Sequence, residues 1–309
     1  MHLLIPFAAP LSEAGREAVR SLRLLRLPAL LAMLQAQGTD DADEWCLSPP
    51  HERALARVHG WTGFDGALPW AAQAALADGV SVGTDAWGQI TPVHWHLGSD
   101  QISMLDPAGL MLDETSSRAL FDAVGELFTS DGYRMAYGSA SRWYVAHPSL
   151  AALPCASLDR VIGRNVDRWL GSDPAARNIR RLQSEVQMRL YTHPINDQRQ
   201  AQGLLPVNSF WLSGCGVAQP ARAGDLQIDE CLRAPALAED WATWSKAWET
   251  LDAGPLATGL AAARQGQTVQ LTLCGERGSA TFASRPRSLL QKLRAARSKP
   301  AWLPLLERL

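Results

Sequence analysis

Apolar residues in this chain fall into short continuous runs that alternate with helical stripes. Leu3 to Phe7 reads as a first strand. The apolar-periodic stretch after it predicts a helix ending near Gln37-Gly38, where glycine is the stop signal. An acidic loop over 39–51 precedes two further predicted helices, around 51–58 and 68–78. Two short strands, Pro92 to Leu97 and Gln101 to Leu105, flank Gly98-Ser99-Asp100 in the pattern of a hairpin. From Asp113, whose side chain can cap a helix, Leu120, Val124 and Leu127 recur on one face. A second strong helix is predicted from Asp173 as cap and Pro174 at the first helical position. Ile179, Leu182, Val186 and Leu190 form its stripe, and His193-Pro194 ends it. Leu205 to Gly216 reads as a buried strand running into a glycine turn. Trp241, Trp244 and Trp248 share a helix face, and Val269, Leu271 and Leu273 alternate with polar residues as strand positions do. Strands alternating with helices predict an α/β fold with a mainly parallel sheet flanked by helices.

Composition narrows the class. Hydrophobic residues make up 47% of the 309 and charged residues 19%, enough for a full core and outside the range of disordered chains. No apolar run approaches the roughly 20 residues of a membrane-spanning helix. A formal net charge of −2 argues against nucleic acid as a partner. Lysine occurs only at 246, 292 and 299, so the basic side is almost all arginine, whose fork suits carboxylate and phosphate. The most basic stretches are Arg177 to Arg181 and Arg285 to Lys299, the latter read as a C-terminal helix with a solvated basic face. Five widely spaced cysteines without a C-x-x-C pair indicate neither a disulfide framework nor a zinc knuckle. The N-terminus lacks the basic region of a secretory signal, which makes the cytoplasm the expected compartment.

Three constellations could carry chemistry. His94 and His96 lie two apart on a strand and so face one way; a metal site would add Asp100 or Asp106, whereas ordinary hydrogen-bonded histidines need no third ligand. Ser213-Gly214-Cys215-Gly216 follows a strand as anion-cradling loops do, without the full phosphate-loop spacing or its lysine. Cys215 would be nucleophilic only as a thiolate, with His193 the nearest imidazole in sequence. The tryptophan helix is either a packed core face, a stacking platform or, if Trp241 or Trp244 is exposed, an adaptor surface.

The segment from His193 through Asn196, Arg199, Pro206 and Asn208 to Gly216 resembles the RpfE-type regulatory protein family of proteobacteria. Thr91-Pro-Val-His-Trp-His-Leu-Gly-Ser-Asp, Asp106-Pro, Ser117-Arg-Ala-Leu, Arg142-Trp143 and Leu182-Gln-Ser-Glu-Val-Gln-Met agree with that likeness, which runs from about 60 to 216. More distantly, the same segment is similar to the archaeal-type cofactor-independent phosphoglycerate mutases of the alkaline phosphatase superfamily. The resemblance implies a core built from 1–90 and 195–309, with a smaller α/β insertion over 91–194.

Those mutases hold two divalent metals that align the phosphoryl group and activate a serine. Their first strand ends in Asp-Gly, where this chain has Ile5-Pro6-Phe7-Ala8-Ala9. Their late Asp-His is replaced by Glu276 and Arg277, and Ala234-Pro-Ala-Leu-Ala-Glu-Asp-Trp contains no histidine. Too few oxygen and nitrogen donors remain for hard cations. What the resemblance implies is therefore a non-catalytic, RpfE-like regulatory protein on a degenerate mutase-like scaffold, without a cofactor. Its partner would be a regulatory protein or a small anionic or phosphorylated ligand, the latter at Arg142, Arg199, Asn208, Ser213 and Gly214. The alternative is an active phosphoglycerate mutase or phosphatase with manganese or zinc on His94, His96 and Asp100.

Overall fold

A computed structural model describes residues 1–171, 176–222, 224–284 and 302–309. The cap expected at Asp173-Pro174 and the basic helix expected over Arg285 to Lys299 lie outside those residues. The chain divides into two compact units, one of residues 1–45, 49–58 and 222–309, the other of 46–48 and 59–221.

The first unit is built on a five-stranded sheet in the order β2-β11-β10-β1-β9. Strand β1 (His2–Ile5) lies parallel to β10 (Gln270–Cys274) and to β9 (Leu226–Ile228), with Leu3 opposite Leu271 and Gln227. Strand β11 (Gly278–Ser284) is antiparallel both to β10 and to β2 (Leu34–Asp41), so four of the five strands point the same way. The α/β reading is met, with β11 as the one reversed strand. Leu3, Ile5, Leu271 and Leu273 are buried with Leu27, Leu30, Trp244 and Trp248, each worth about 1.5–3 kcal/mol as a fully buried large aliphatic or aromatic side chain.

Helices α1 (Glu13–Ser21) and α2 (Arg26–Met33) replace the single long helix expected up to Gln37-Gly38. The last part of that stretch is β2, whose polar side chains are mostly exposed and whose backbone is satisfied by pairing with β11. Helix α3 (Pro50–His59) follows, close to its expected bounds.

The second unit carries a four-stranded antiparallel sheet, β6-β7-β3-β8. These strands are β3 (Ala86–Val93), β6 (Arg134–Ser139), β7 (Arg142–Ala146) and β8 (Ser209–Val217). Because β3 crosses residue 90 and pairs along its length with β8, an insertion limited to 91–194 would cut a sheet in two. The observed unit is accordingly wider than that insertion at both ends. The predicted hairpin is present as β4 (Trp95–Leu97) and β5 (Ile102–Met104), while Pro92 and Val93 extend β3.

Helix α4 (Trp70–Ala77) packs Ala71, Ala72 and Ala75 against Trp87 and Tyr144. Helix α5 (Glu114–Ser130) starts where the sequence placed it: the Asp113 carboxylate accepts from the Ser116 N–H at 2.9 Å. After the one-turn α6 (Leu158–Val161), α7 (Ala176–Tyr191) buries Ile179, Leu182, Val186 and Leu190. His193 then caps α8 (Pro194–Ala201). The first unit resumes with α9 (Arg233–Leu237), α10 (Trp241–Ala253), α11 (Pro255–Arg264) and α12 (Trp302–Leu306).

Trp244 and Trp248 are fully buried and Trp241 is half-buried, so the tryptophan face is core. That removes the exposed patch on which the adaptor and stacking-platform readings depended.

Candidate functional site

Open α/β sheets bind ligands beyond the C-terminal ends of their parallel strands. In the first unit that edge gathers the residues following β1, β10 and β2. Phe7 follows β1 with φ +56°, a left-handed conformation that costs a bulky side chain about 1–2 kcal/mol. Its carbonyl accepts from Trp244 Nε1 at 3.0 Å, and its ring centroid lies 5.2 Å from that of His51. The neighbouring Ala8 N–H donates to Cys274 O at 2.7 Å, which joins the ends of β1 and β10. Glu276 turns back: its N–H donates to Ala9 O, and its Oε1 accepts from the Leu11 N–H. Leu309 O fills the β10–β11 turn, accepting from the Arg277 and Gly278 N–H groups at 2.8 and 2.7 Å.

At the end of β2, Asp40 meets α3. Its Oδ2 receives Arg53 Nε at 2.9 Å and Arg57 Nη1 at 2.8 Å. Arg57 Nη2 donates to Ser279 Oγ, and Arg53 Nη2 to Arg277 O. The spacing of four puts both arginines on one face of α3, where side chains one turn apart are neighbours. Burial opposes ionisation of Asp40, but hydrogen bonds from the two guanidiniums outweigh it and hold the carboxyl below the usual range. Burial pushes the nearby Cys274 thiol well up. Asp40 thus receives two guanidiniums on one carboxylate oxygen. The Arg57 side chain is 52% exposed and open to a further acceptor.

The resemblance to metal-dependent mutases implies two divalent cations at such an edge. The residues present do not fit them. Proline, phenylalanine and alanine follow β1, Glu276 is engaged by a backbone amide, and Asp40 already neutralises arginines. Among the described residues, no group of three or more His, Cys, Asp or Glu side chains converges as metal ligands would. His94, His96 and Asp100 are not brought together either. His94 Nδ1 donates to Pro206 O at 2.8 Å, whereas His96 is exposed on β4 and Asp100 is exposed in the turn beyond it.

The five residues expected to bind a ligand hold the second unit together. Arg142 gives Nε and Nη2 to the two oxygens of Asp78 at 3.1 and 2.8 Å, and Tyr144 OH donates to the same carboxylate at 2.6 Å. These bonds, Arg142 foremost, lower the Asp78 carboxyl's pKa, and burial raises that of the Tyr144 phenol. Arg199 is buried and donates to Leu205 O and Leu110 O, spanning two loops. Asn208 clamps Trp95 from both sides, accepting its N–H and donating to its carbonyl. Ser213 pairs with Gln89 in the sheet. Gly214, at φ +66°, leaves room for α4, since a Cβ there would sit 2.9 Å from Ala71 N. Asn196 belongs to the same stitching, bonded to Leu190 O and to both backbone groups of Val207. His193 accepts from the Ile195 N–H as a helix cap, and the Cys215 sulfur lies 3.6 Å from that of Cys155.

Sequence reasoning missed Asp40, Arg53 and Arg57. The four-residue spacing of the arginines was visible, but their convergence on β2 required knowing that β2 is a strand.

No family model matches the chain, and no curated protein matches it. The likeness to RpfE-type proteins thus rests on the quoted residues alone. Among solved structures, the chain is similar to a cofactor-independent phosphoglycerate mutase from Thermoplasma acidophilum, at 15% identity and a TM-score of 0.36, over 91% of this chain and 89% of that one. It is also similar to the PH0037 protein from Pyrococcus horikoshii, at 11% identity and a TM-score of 0.45, over 100% of this chain and 97% of that one. Likenesses of this depth assign neither a family nor an activity.

Proposed function

We propose that the protein is a non-catalytic, RpfE-like regulatory protein that binds a small anionic or phosphorylated ligand at the C-terminal edge of the first unit's sheet. The observation that carries this reading is the convergence of Arg53 and Arg57 on the single Oδ2 of Asp40, with Arg57 half in solvent. Arginine forks bind carboxylate and phosphate oxygens in two-point geometry. A phosphate or carboxylate would take up donors of the half-exposed Arg57. The set of side chains at this edge, rich in guanidinium and poor in converging carboxylate and imidazole, supports anion binding over cation-assisted phosphoryl transfer. Arg142 and Arg199 serve in this reading as framework, which moves the ligand from the second unit to the first.

Thermal unfolding in inorganic phosphate and in 3-phosphoglycerate, against chloride at equal ionic strength, tests the proposal. A ligand that binds only the folded state at a hundred times its Kd adds about 2.7 kcal/mol. The melting temperature of the wild type should rise with the anion, and that of Arg57→Gln should not. Equal responses in the two proteins would remove the site. Stoichiometric manganese or zinc in the purified protein, together with mutase or phosphatase turnover lost in His94→Ala/His96→Ala, would replace the proposal with the enzyme.

A further inference from the structure

The glycine-rich end of β8 has a second peculiarity. Opposite Gly88 of β3, which sits between the pairs Trp87–Gly216 and Gln89–Ser213, strand β8 places two residues, Gly214 and Cys215. This is a β-bulge, a device that re-aims a side chain. Gly214 supplies the left-handed φ that the bulge uses. Cys215 is thereby fully buried against Gly88, where an added Cβ would stand 3.1 Å from its sulfur and 2.6 Å from Leu212 Cδ1. The missing side chain at position 88 therefore makes room for the thiol.

Its partner comes from a distant part of the chain. Cys155, in the loop after Leu153-Pro154, is anchored by its N–H to Gly66 O at 2.9 Å. Its sulfur lies 3.6 Å from that of Cys215. Cys155 is only partly buried and lines a small pocket with Trp169, Ile179, Arg180 and Trp211. One thiol is thus within reach of a small solute, and the other waits behind it.

We propose that Cys155 and Cys215 are a redox pair, joined as an intrachain disulfide when the protein meets a peroxide. The Cys155 thiolate attacks a peroxide oxygen and the O–O bond breaks; with hydrogen peroxide the departing hydroxide takes up a proton as water. Cys155 is left as the sulfenic acid. The Cys215 sulfur then attacks the Cys155 sulfur, its own proton leaves, and the hydroxyl departs as a second water. Two thiols lose two electrons in total and one peroxide gains them. The sulfurs close from 3.6 Å to about 2 Å, the length of the bond. The product fastens β8 to the loop at 155, residues 60 apart in sequence. The contact with Cys155 and then burial raise the Cys215 thiol's pKa, in keeping with the second, resolving position in this order of events.

Hydrogen peroxide added to the intact reduced protein is the test. Thiols titrated in denaturant should fall by two from the five of the reduced chain, and dithiothreitol should restore them. A non-reducing peptide map should show the Cys155 and Cys215 peptides joined, and the oxidised protein should melt higher than the reduced one. Cys155→Ser, at a partly exposed position, should abolish the rise in melting temperature and leave Cys215 open to alkylation in denaturant. Cys215→Ala gives the reciprocal result, with Cys155 trapped as a sulfenic acid by dimedone. The proposal is overturned if Cys155 is over-oxidised or unmodified while Cys215 stays alkylatable, or if the map joins either cysteine to another residue.

Discussion

Asp252 offers the sharpest test of how the first unit is held together. It lies near the end of α10, is 4% exposed, and points its carboxylate at the start of α2. Oδ1 accepts from the Arg26 and Leu27 N–H groups at 2.9 and 2.8 Å, and Oδ2 from the Leu25 and Arg26 N–H groups at 3.0 and 3.1 Å. The residue at the N-cap of α2 is Leu25, which supplies no side-chain cap, so a carboxylate from 227 residues away does that work. In Asp252→Ala the Leu25 and Arg26 amides can turn to water, but the buried Leu27 N–H is stranded at about 1–3 kcal/mol. Loss of a cap adds about 1 kcal/mol. A charge at a partly buried helix terminus is worth up to about 2 kcal/mol. Allowing for overlap among these, the expected loss is about 3–4 kcal/mol. Asp252→Asn keeps the volume and one acceptor oxygen, and should lose about half as much. Urea denaturation at neutral pH, with the midpoint falling at constant slope, measures both. Amide exchange at Leu25 to Leu27 should quicken in the alanine variant. A loss below about 1 kcal/mol in Asp252→Ala would refute the assignment of α2's cap to this residue.

Three further outcomes follow from the second unit. The Asp78 carboxyl is lowered by Arg142, so its stabilisation is complete above an unfolded pKa of about 4 and disappears as pH falls through the lower folded value. Acid titrations of stability should therefore be shallower in Asp78→Asn below about pH 4 than in the wild type, and parallel curves would exclude this linkage. Asn196→Ala strands both backbone groups of Val207, while Leu190 O keeps the His193 N–H, a loss of about 2–4 kcal/mol by chemical denaturation. Gly214→Ala combines a left-handed φ with a Cβ 2.9 Å from Ala71 N; it should cost about 2 kcal/mol or more, and a neutral result would mean that the bulge and α4 can separate freely.

Elements with a strong local pattern could be read directly from the chain. The α5 stripe and its Asp113 cap, the α7 stripe, the buried β1 and β10, and the Trp244–Trp248 face all stand where periodicity put them. What escaped was structure decided by partners. Gln35, Gln37 and Thr39 have no strand-like apolar alternation, yet β2 forms because β11 offers a row of backbone groups to pair with. Strands β6 and β7 were not anticipated either, although Trp143, Tyr144 and Val145 are β-forming residue types. The distinctive run from His193 to Gly216 looked functional because its polar residues are unusual. Asn196 and Arg199 prove to spend those polar groups on backbone atoms of the loop after α8, and Asn208 on the backbone of Trp95 at the start of β4. Side-chain chemistry alone cannot separate a residue that grips a ligand from one that grips a loop. The Asp40–Arg53–Arg57 cluster shows the converse, since residues on separate elements converge only once β2 and α3 meet.

The interior position of β1 in its sheet has a consequence for biosynthesis. His2 pairs with Leu226 on one side and Gln270 on the other. At translation rates of about 5–20 residues per second, the first strand would leave the ribosome on the order of 10–45 seconds before the first of those neighbours is made. Throughout that interval Leu3, Leu4 and Ile5, all buried in the finished protein, have no strand to lie against. The segment 59–221, whose own sheet partners are all internal, can meanwhile be completed. Nascent chains stalled before residue 226 should therefore display a protease-resistant middle and a sticky leading end, the species on which a chaperone would act.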